Sequence, residues 1–124
     1  MRYKAMLLPI HPEHAEDILN GTKWFEYRKV RCRTGTEKII LYATAPVKRV
    51  LGEVEILDAI VDTPHRVWEL TSDGAGISRQ NFDQYFLGHK KAVAYKLGAA
   101  SRYDTPLELI ESGINYTPQS MIYL

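Results

Sequence analysis

Ile18 to Lys29 reads ILNGTKWFEYRK, and this stretch decides the fold. A helical run ends at Asn20 and Gly21, and the chain restarts at Lys23 among Trp24, Phe25 and Tyr27, with Glu26 and Arg28 set between them. Glycine reaches the left-handed backbone conformation that closes a helix without a Cβ clash, so Gly21 predicts a helix stop and a sharp turn into a strand over residues 23–29. Residues two apart on a strand share a face, which groups Trp24, Glu26 and Arg28 against Lys23, Phe25 and Tyr27. Neither face is wholly apolar, and the three charges require an explanation.

Upstream, YKAMLLPI reads as a first, largely buried strand, followed by a helix from Pro12 to Leu19. Proline suits the first helical turn because its missing N–H has no intrahelical partner, and Glu13, Glu16 and Asp17 suit the positive end of the helix. Downstream, KIILYATAP and KRVLGEVEILDAIVD are strand-forming runs separated by a proline break, with Gly52 as a candidate bulge. Helices are expected from Pro64 and from Ser78, the latter with Ser78 as N-cap and Gly88 as terminator. Phe82, Tyr85 and Phe86 fall on one apolar stripe of that second helix, the pattern of a core contact. KAVAYKLG returns to strand character, TPLELIESG is a short helix or turn, and QSMIYL a last strand. Short strands with helices inserted between them predict an α+β fold, a small curved sheet or barrel with helices at its side or mouth.

The 124 residues, 45% hydrophobic and 25% charged, fit one domain over 1–124 of ordinary soluble composition. No apolar run approaches the roughly 20 residues of a membrane span, and the N-terminus lacks a signal-peptide pattern, so a cytoplasmic location without membrane attachment is expected. The lone Cys32 excludes an internal disulfide and fits a reducing compartment. The histidines do not fall in ligand spacing, which predicts no metal, and no Walker loop, dinucleotide fingerprint or nucleophile elbow calls for a cofactor. A net charge of +1 and a Ser78 helix whose one cation is Arg79 argue against duplex DNA as a partner. The cations nevertheless cluster: Arg28, Lys29, Arg31 and Arg33 in RKVRCR, then Lys48 with Arg49, then Lys90 with Lys91. Two readings stand, a solvated loop and strand edge or a face for an anionic ligand.

Gly21-x-Lys23-x-x-Glu26-x-Arg28 after a helix, then a strand ending Tyr42-Ala-Thr-Ala-Pro46, then a strand bearing Gly52, resembles the ASCH domain family of the PUA-like superfamily. FDQYFLGHKKAVAYKLG and TPQSMIYL extend the resemblance over nearly the whole chain. It implies a PUA-like small β-barrel with a cleft beside it, and binding of RNA or modified nucleosides. Some similar members are amidohydrolases that deacylate acetylated cytidine with a lysine, a threonine three residues later and a mid-chain glutamate. Lys23 matches the lysine; Glu26 stands at the threonine's place, and SDGAGIS offers Asp73 alone as an acid.

The leading expectation is therefore an RNA-binding or modified-nucleoside-binding cleft lined by Lys23, Glu26, Arg28 and Tyr42. A paired Glu26 and Arg28 present an acceptor and a planar donor fork that can read a base edge. Trp24 is a candidate stacking platform or a packed core residue. Tyr42 and Thr44 offer hydroxyls to a ligand or to neighbouring backbone, Lys48 adds a cation, and Ser120 a further hydroxyl. The second expectation is a small hydrolase, an amidohydrolase or ribonuclease, with Glu26 as general base on water and Lys23 stabilising the oxyanion. The third is a regulatory module that meets a protein partner. Against all of these stands an exposed edge strand whose Glu26–Arg28 pair is worth at most about 1 kcal/mol.

Overall fold

The computed structural model describes residues 4–124, so Tyr3, included in the first expected strand, lies outside the described residues. In chain order the elements are β1 (Ala5–Ile10), α1 (Pro12–Leu19), β2 (Phe25–Arg28), β3 (Lys38–Ala43), β4 (Arg49–Asp62), α2 (Pro64–Thr71), α3 (Arg79–Tyr85), β5 (Ala92–Leu107) and β6 (Ile122–Tyr123). Tight 3-10 turns occupy Ser72–Gly74 and Leu109–Ser112. The strands form one mixed sheet in the order β2-β5-β4-β3-β1-β6, with β1 and β3 parallel and the other pairs antiparallel. The expected α+β barrel is thus realised as a half-barrel whose edges are β2 and β6.

Strand alternation divides the core between two faces. Met6, Leu8 and Ile10 of β1, Ile39 and Leu41 of β3, and Val93 and Tyr95 of β5 pack on one face with Ala15 and Ile18 of α1. The intervening residues point the other way. Tyr27, Ala92 and Ala94 meet Val67 of α2 and Phe82 and Phe86 at α3, while Leu7, Tyr42 and Val50 gather around Ile114 at the opposite end. Burying each large aliphatic side chain contributes about 1.5–3 kcal/mol, so these clusters fix which face each strand turns inward.

Local chemistry explains most boundaries. α1 starts at Pro12 and stops at Asn20, and Gly21 has φ +81°. Ser78 caps α3, its hydroxyl accepting from the Asn81 N–H at 3.1 Å. The register shifts between Val50 and Gly52, as the candidate bulge requires, and a Cβ at Gly52 would lie 2.4 Å from the Ser101 carbonyl oxygen. Several strands differ from expectation, among them β6, which is confined to Ile122–Tyr123 of the expected QSMIYL. β2 spans four residues, because Lys23 and Trp24 belong to the turn before it. β5 runs for 16 residues, past Gly98 and through AASRYDTPL, because the long β4 offers a hydrogen-bonding partner to a segment of weak strand propensity.

Candidate functional site

Beside the β2 edge the molecule opens a cleft of about 800 Å³, walled by α1, β2, the loop at Gly76–Ser78 and α3. Its floor is charged. Lys23 and Glu26 are only 2% and 5% exposed, so the weak surface-pair alternative does not hold for this edge. The Lys23 Nζ stands 3.8 Å from Glu26 Oε1, and Arg28 Nη2 lies 2.8 Å from Glu26 Oε2, which leaves the carboxylate between two cations. The ammonium also donates to the Ala75 carbonyl and sits 5.1 Å from the centre of the Tyr27 ring. Burial pushes its pKa below the usual lysine value, and the attraction of Glu26 works against that shift.

The arrangement is built by close backbone approach. Trp24 N–H donates to the Gly74 carbonyl at 2.8 Å, which lays the 72–78 loop over the Lys23 stem. Gly76 has φ +67°, and a Cβ there would fall 2.6 Å from Lys23 Cγ, so position 76 needs glycine both for its backbone conformation and for room. On the other side Arg28 Nη2 donates to the Pro9 carbonyl at 2.9 Å and fastens β2 to the end of β1. Two buried nitrogens in this wall, Nε of Arg28 and Nδ1 of His14, have no hydrogen-bond partner among the described residues. The His14 pKa is lowered, first by burial and then by the Lys23 charge, with Glu26 acting in the opposite sense.

The expected site residues separate. Lys23, Glu26, Arg28 and Thr44 line the cleft. Thr44 uses its hydroxyl to donate to the Ile10 carbonyl, at 3.3 Å, the backbone-bonding alternative. Tyr42 does not join them: it is 2% exposed and packs with Leu7, Val50 and Ile114. Trp24 is parted from Glu26 and Arg28 because it precedes the strand, so alternation does not govern it. Its indole donates to the Gly21 carbonyl at 2.9 Å, its ring presses on Gly74, and it borders a separate hollow of about 300 Å³. Asp73 is exposed and outside the cleft wall.

Tyr42 pairs with Pro9 of β1, while Ser120 is exposed in the bend before β6 and outside the cleft wall. Lys48, the one described non-glycine residue with positive φ, at 52°, closes the turn that follows β3. Sequence reasoning missed the contributions of α1 and α3 to the cleft, namely His14, Asp17, Asn81 and Tyr85. The three-residue spacing of His14 and Asp17 puts both on one helix face, which was the available sign. Tyr85 was assigned to the core stripe; Phe82 and Phe86 are buried as expected, but Tyr85 is 38% exposed and faces the cleft.

Among the described residues no group of three or more His, Cys, Asp or Glu is placed to hold a metal ion, and no helix is long and apolar enough to cross a membrane. No family model matches the chain. It is 28% identical over 122 residues to the ATP synthase subunit alpha of Ureaplasma parvum, of which it spans 15%. It is 34% identical over 96 residues to a protein of Zymomonas mobilis named an ASCH domain-containing ribonuclease, and the match covers 76% of this chain and 64% of that protein. The chain thus spans less than two thirds of the length of each of these curated relatives. The crystal structure of ASCH from Zymomonas mobilis matches with a TM-score of 0.88 at 30% identity, covering 98% of this chain and 87% of the other. Serine-to-alanine and tyrosine-to-phenylalanine variants of that ASCH protein match with TM-scores of 0.89 and 0.88. With the fold agreeing at a TM-score of 0.88 and 30% identity over 98% of this chain and 87% of the other, the chain belongs to the ASCH domain family.

Proposed function

We propose that the cleft receives one nucleobase, from single-stranded RNA or from a modified nucleoside, and reads it through the Lys23–Glu26–Arg28 array. One observation carries this reading: a cation–anion–cation array with Lys23 and Glu26 buried and Arg28 half-buried shares a concave wall with two buried nitrogens that have no partner among the described residues. A buried polar atom left unpaired costs about 1–3 kcal/mol, and the half-buried Arg28 guanidinium gains an acceptor for its Nε–H by turning toward the edge of a bound base. The cleft volume lies within the usual range for small-molecule sites. RNA fits better than duplex DNA because its single-stranded bases can be splayed into such a cleft, and the Zymomonas relative is named a ribonuclease. Calorimetric titration with a nucleoside panel that includes acetylcytidine tests it. Arg28→Ala and Lys23→Met should each weaken binding at least tenfold without unfolding the domain; unchanged affinity in both variants would refute the reading.

A second reading, hydrolysis, is favoured by the name of that relative. Two arrangements compete for it. In the cleft, Glu26 takes a proton from water, the water oxygen adds to an acyl carbonyl whose developing charge Lys23 stabilises, and Glu26 returns the proton to the nitrogen as the C–N bond breaks, giving acetate and the free amine. Elsewhere, Tyr42 at the end of β3 and Ser120 before β6 offer hydroxyls, and a tyrosine and a serine are the residues changed in the two Zymomonas variants. Acetate release and RNA cleavage separate the two. Loss of turnover in Glu26→Gln assigns the reaction to the cleft, loss in Tyr42→Phe and Ser120→Ala assigns it to those hydroxyls, and no turnover by the unmodified protein removes this reading.

A further inference from the structure

We infer that Lys29, Arg31, Lys90 and Lys91 form a track for the sugar–phosphate backbone of single-stranded RNA leading to the mouth of the cleft, so that the ligand is an oligonucleotide several residues long. The inference rests on the cleft reading above and extends it from a base to a strand.

The topology assembles the track. β2 is an edge of the sheet and pairs antiparallel with β5, Arg28 opposite Val93. Lys29 leaves the end of β2 where Lys90 and Lys91 enter β5, so residues about sixty positions apart in sequence emerge side by side, and Arg31 follows on the same outgoing loop. All four are exposed. Contact with the cleft is direct, because Lys29 Nζ lies 4.4 Å from the centre of the Tyr85 ring and Tyr85 is part of the cleft wall.

Among the described residues the charges of the track have no carboxylate partner. Elsewhere on the surface Lys38, Arg49, Arg66, Arg79 and Arg102 each have a carboxylate within 4.0 Å. Lys29, Arg31, Lys90 and Lys91 form no such pair among the described residues. Residues 27–36 and 84–91 contain no Asp or Glu. The neighbouring carboxylate is Asp62, on the strand residue opposite Ala92, and it accepts from the Thr63 N–H at 2.7 Å. Val30, between Lys29 and Arg31 in sequence, and Leu87, three residues before Lys90, are 67% and 74% exposed, and the Tyr85 ring lies against Lys29. Basic groups that follow a backbone, interleaved with an aromatic and apolar surface for bases and sugars, are the chemistry of single-strand binding. An acidic polypeptide would satisfy the cations but has no use for a base-sized cleft at their end.

The test uses the triple variant Arg31→Ala, Lys90→Ala, Lys91→Ala, which leaves Lys29 on Tyr85 and changes exposed side chains only. Fluorescence anisotropy with a hexaribonucleotide should show at least a tenfold loss of affinity and a salt-dependence slope reduced by about 2, the counterion release expected of three cations on a single strand. Nucleoside affinity, measured by calorimetry on the same variant, should stay unchanged. Failure of the cleft reading is seen separately, as an absence of nucleoside binding by the unmodified protein. Unchanged hexanucleotide affinity and slope in the triple variant would overturn the track, as would equal competition by polyglutamate of matched charge, which would assign the strip to an acidic protein.

Discussion

Two polar strand ends of this sheet received opposite treatment. At β2 the molecule buries Lys23 and Glu26 and surrounds them with a cleft; at the end of β3 it buries the Tyr42 ring in an apolar cluster and leaves Lys48 outside. Removing ionic groups from water is expensive, and well-packed apolar residues at such places are often as stable or more so. The β3 end follows that economy. The β2 end does not, and retains the perturbed lysine, the paired carboxylate and two buried nitrogens without a partner among the described residues in one wall, a combination typical of functional sites.

The largest expected effect breaks the array at its centre. Glu26→Ala leaves the buried Lys23 ammonium without the carboxylate beside it and should destabilise the domain by about 3–5 kcal/mol in chemical denaturation. Lys23→Met combined with Glu26→Leu should recover most of that loss, since the charge is removed together with its partner; equal destabilisation of the double and single variants would show that the array holds the fold by shape instead. Next comes Gly76→Ala, which puts a Cβ against the Lys23 stem at φ +67° and should cost about 1–3 kcal/mol, with a parallel loss of nucleoside affinity.

A smaller effect is pH-dependent. The folded pKa of His14 lies below its ordinary 6.5, so the unfolded chain binds the proton more readily and stability should decline as pH falls below about 6.5, levelling once the native histidine also titrates. Lys23, Glu26, His11 and Glu13 are the charged or titratable groups that act on it. His14→Gln should flatten this part of the stability profile in thermal melts between about pH 7 and 5; an unaltered slope would mean that another group titrates there. Tyr42→Phe should change least, within about 0.5 kcal/mol, because no hydrogen bond of its hydroxyl is found among the described residues. A cost above about 1 kcal/mol would reveal a buried partner and would bring the two strand ends closer in kind.

Local signals were legible in the sequence where one residue governs one event. Pro12, Gly21 and Ser78 marked helix ends, Gly52 the bulge, and the charge pattern at 23, 26 and 28 the polar floor of the cleft. What escaped was set by long-range pairing. β5 continues through AASRYDTPL because β4 is there to bond it, and no local propensity announces that. Trp24 and Tyr42 were grouped with the cleft by alternation and by family resemblance; the 72–78 loop and the Leu7–Ile114 cluster take them elsewhere. The α1 wall, with His14 and Asp17, became visible only when that helix was laid across the sheet.

The central claim is that the β2 cleft, not the Tyr42 end, receives the base. An NMR titration with nucleoside, following the Arg28 Nε–H and His14 ring resonances together with the backbone amides, tests it most directly. The account predicts that the Arg28 Nε–H shifts downfield as it acquires an acceptor and that the Tyr42 and Ser120 amides stay in place. Shifts centred on Tyr42 and Ser120, with the Arg28 and His14 resonances unmoved, would contradict it.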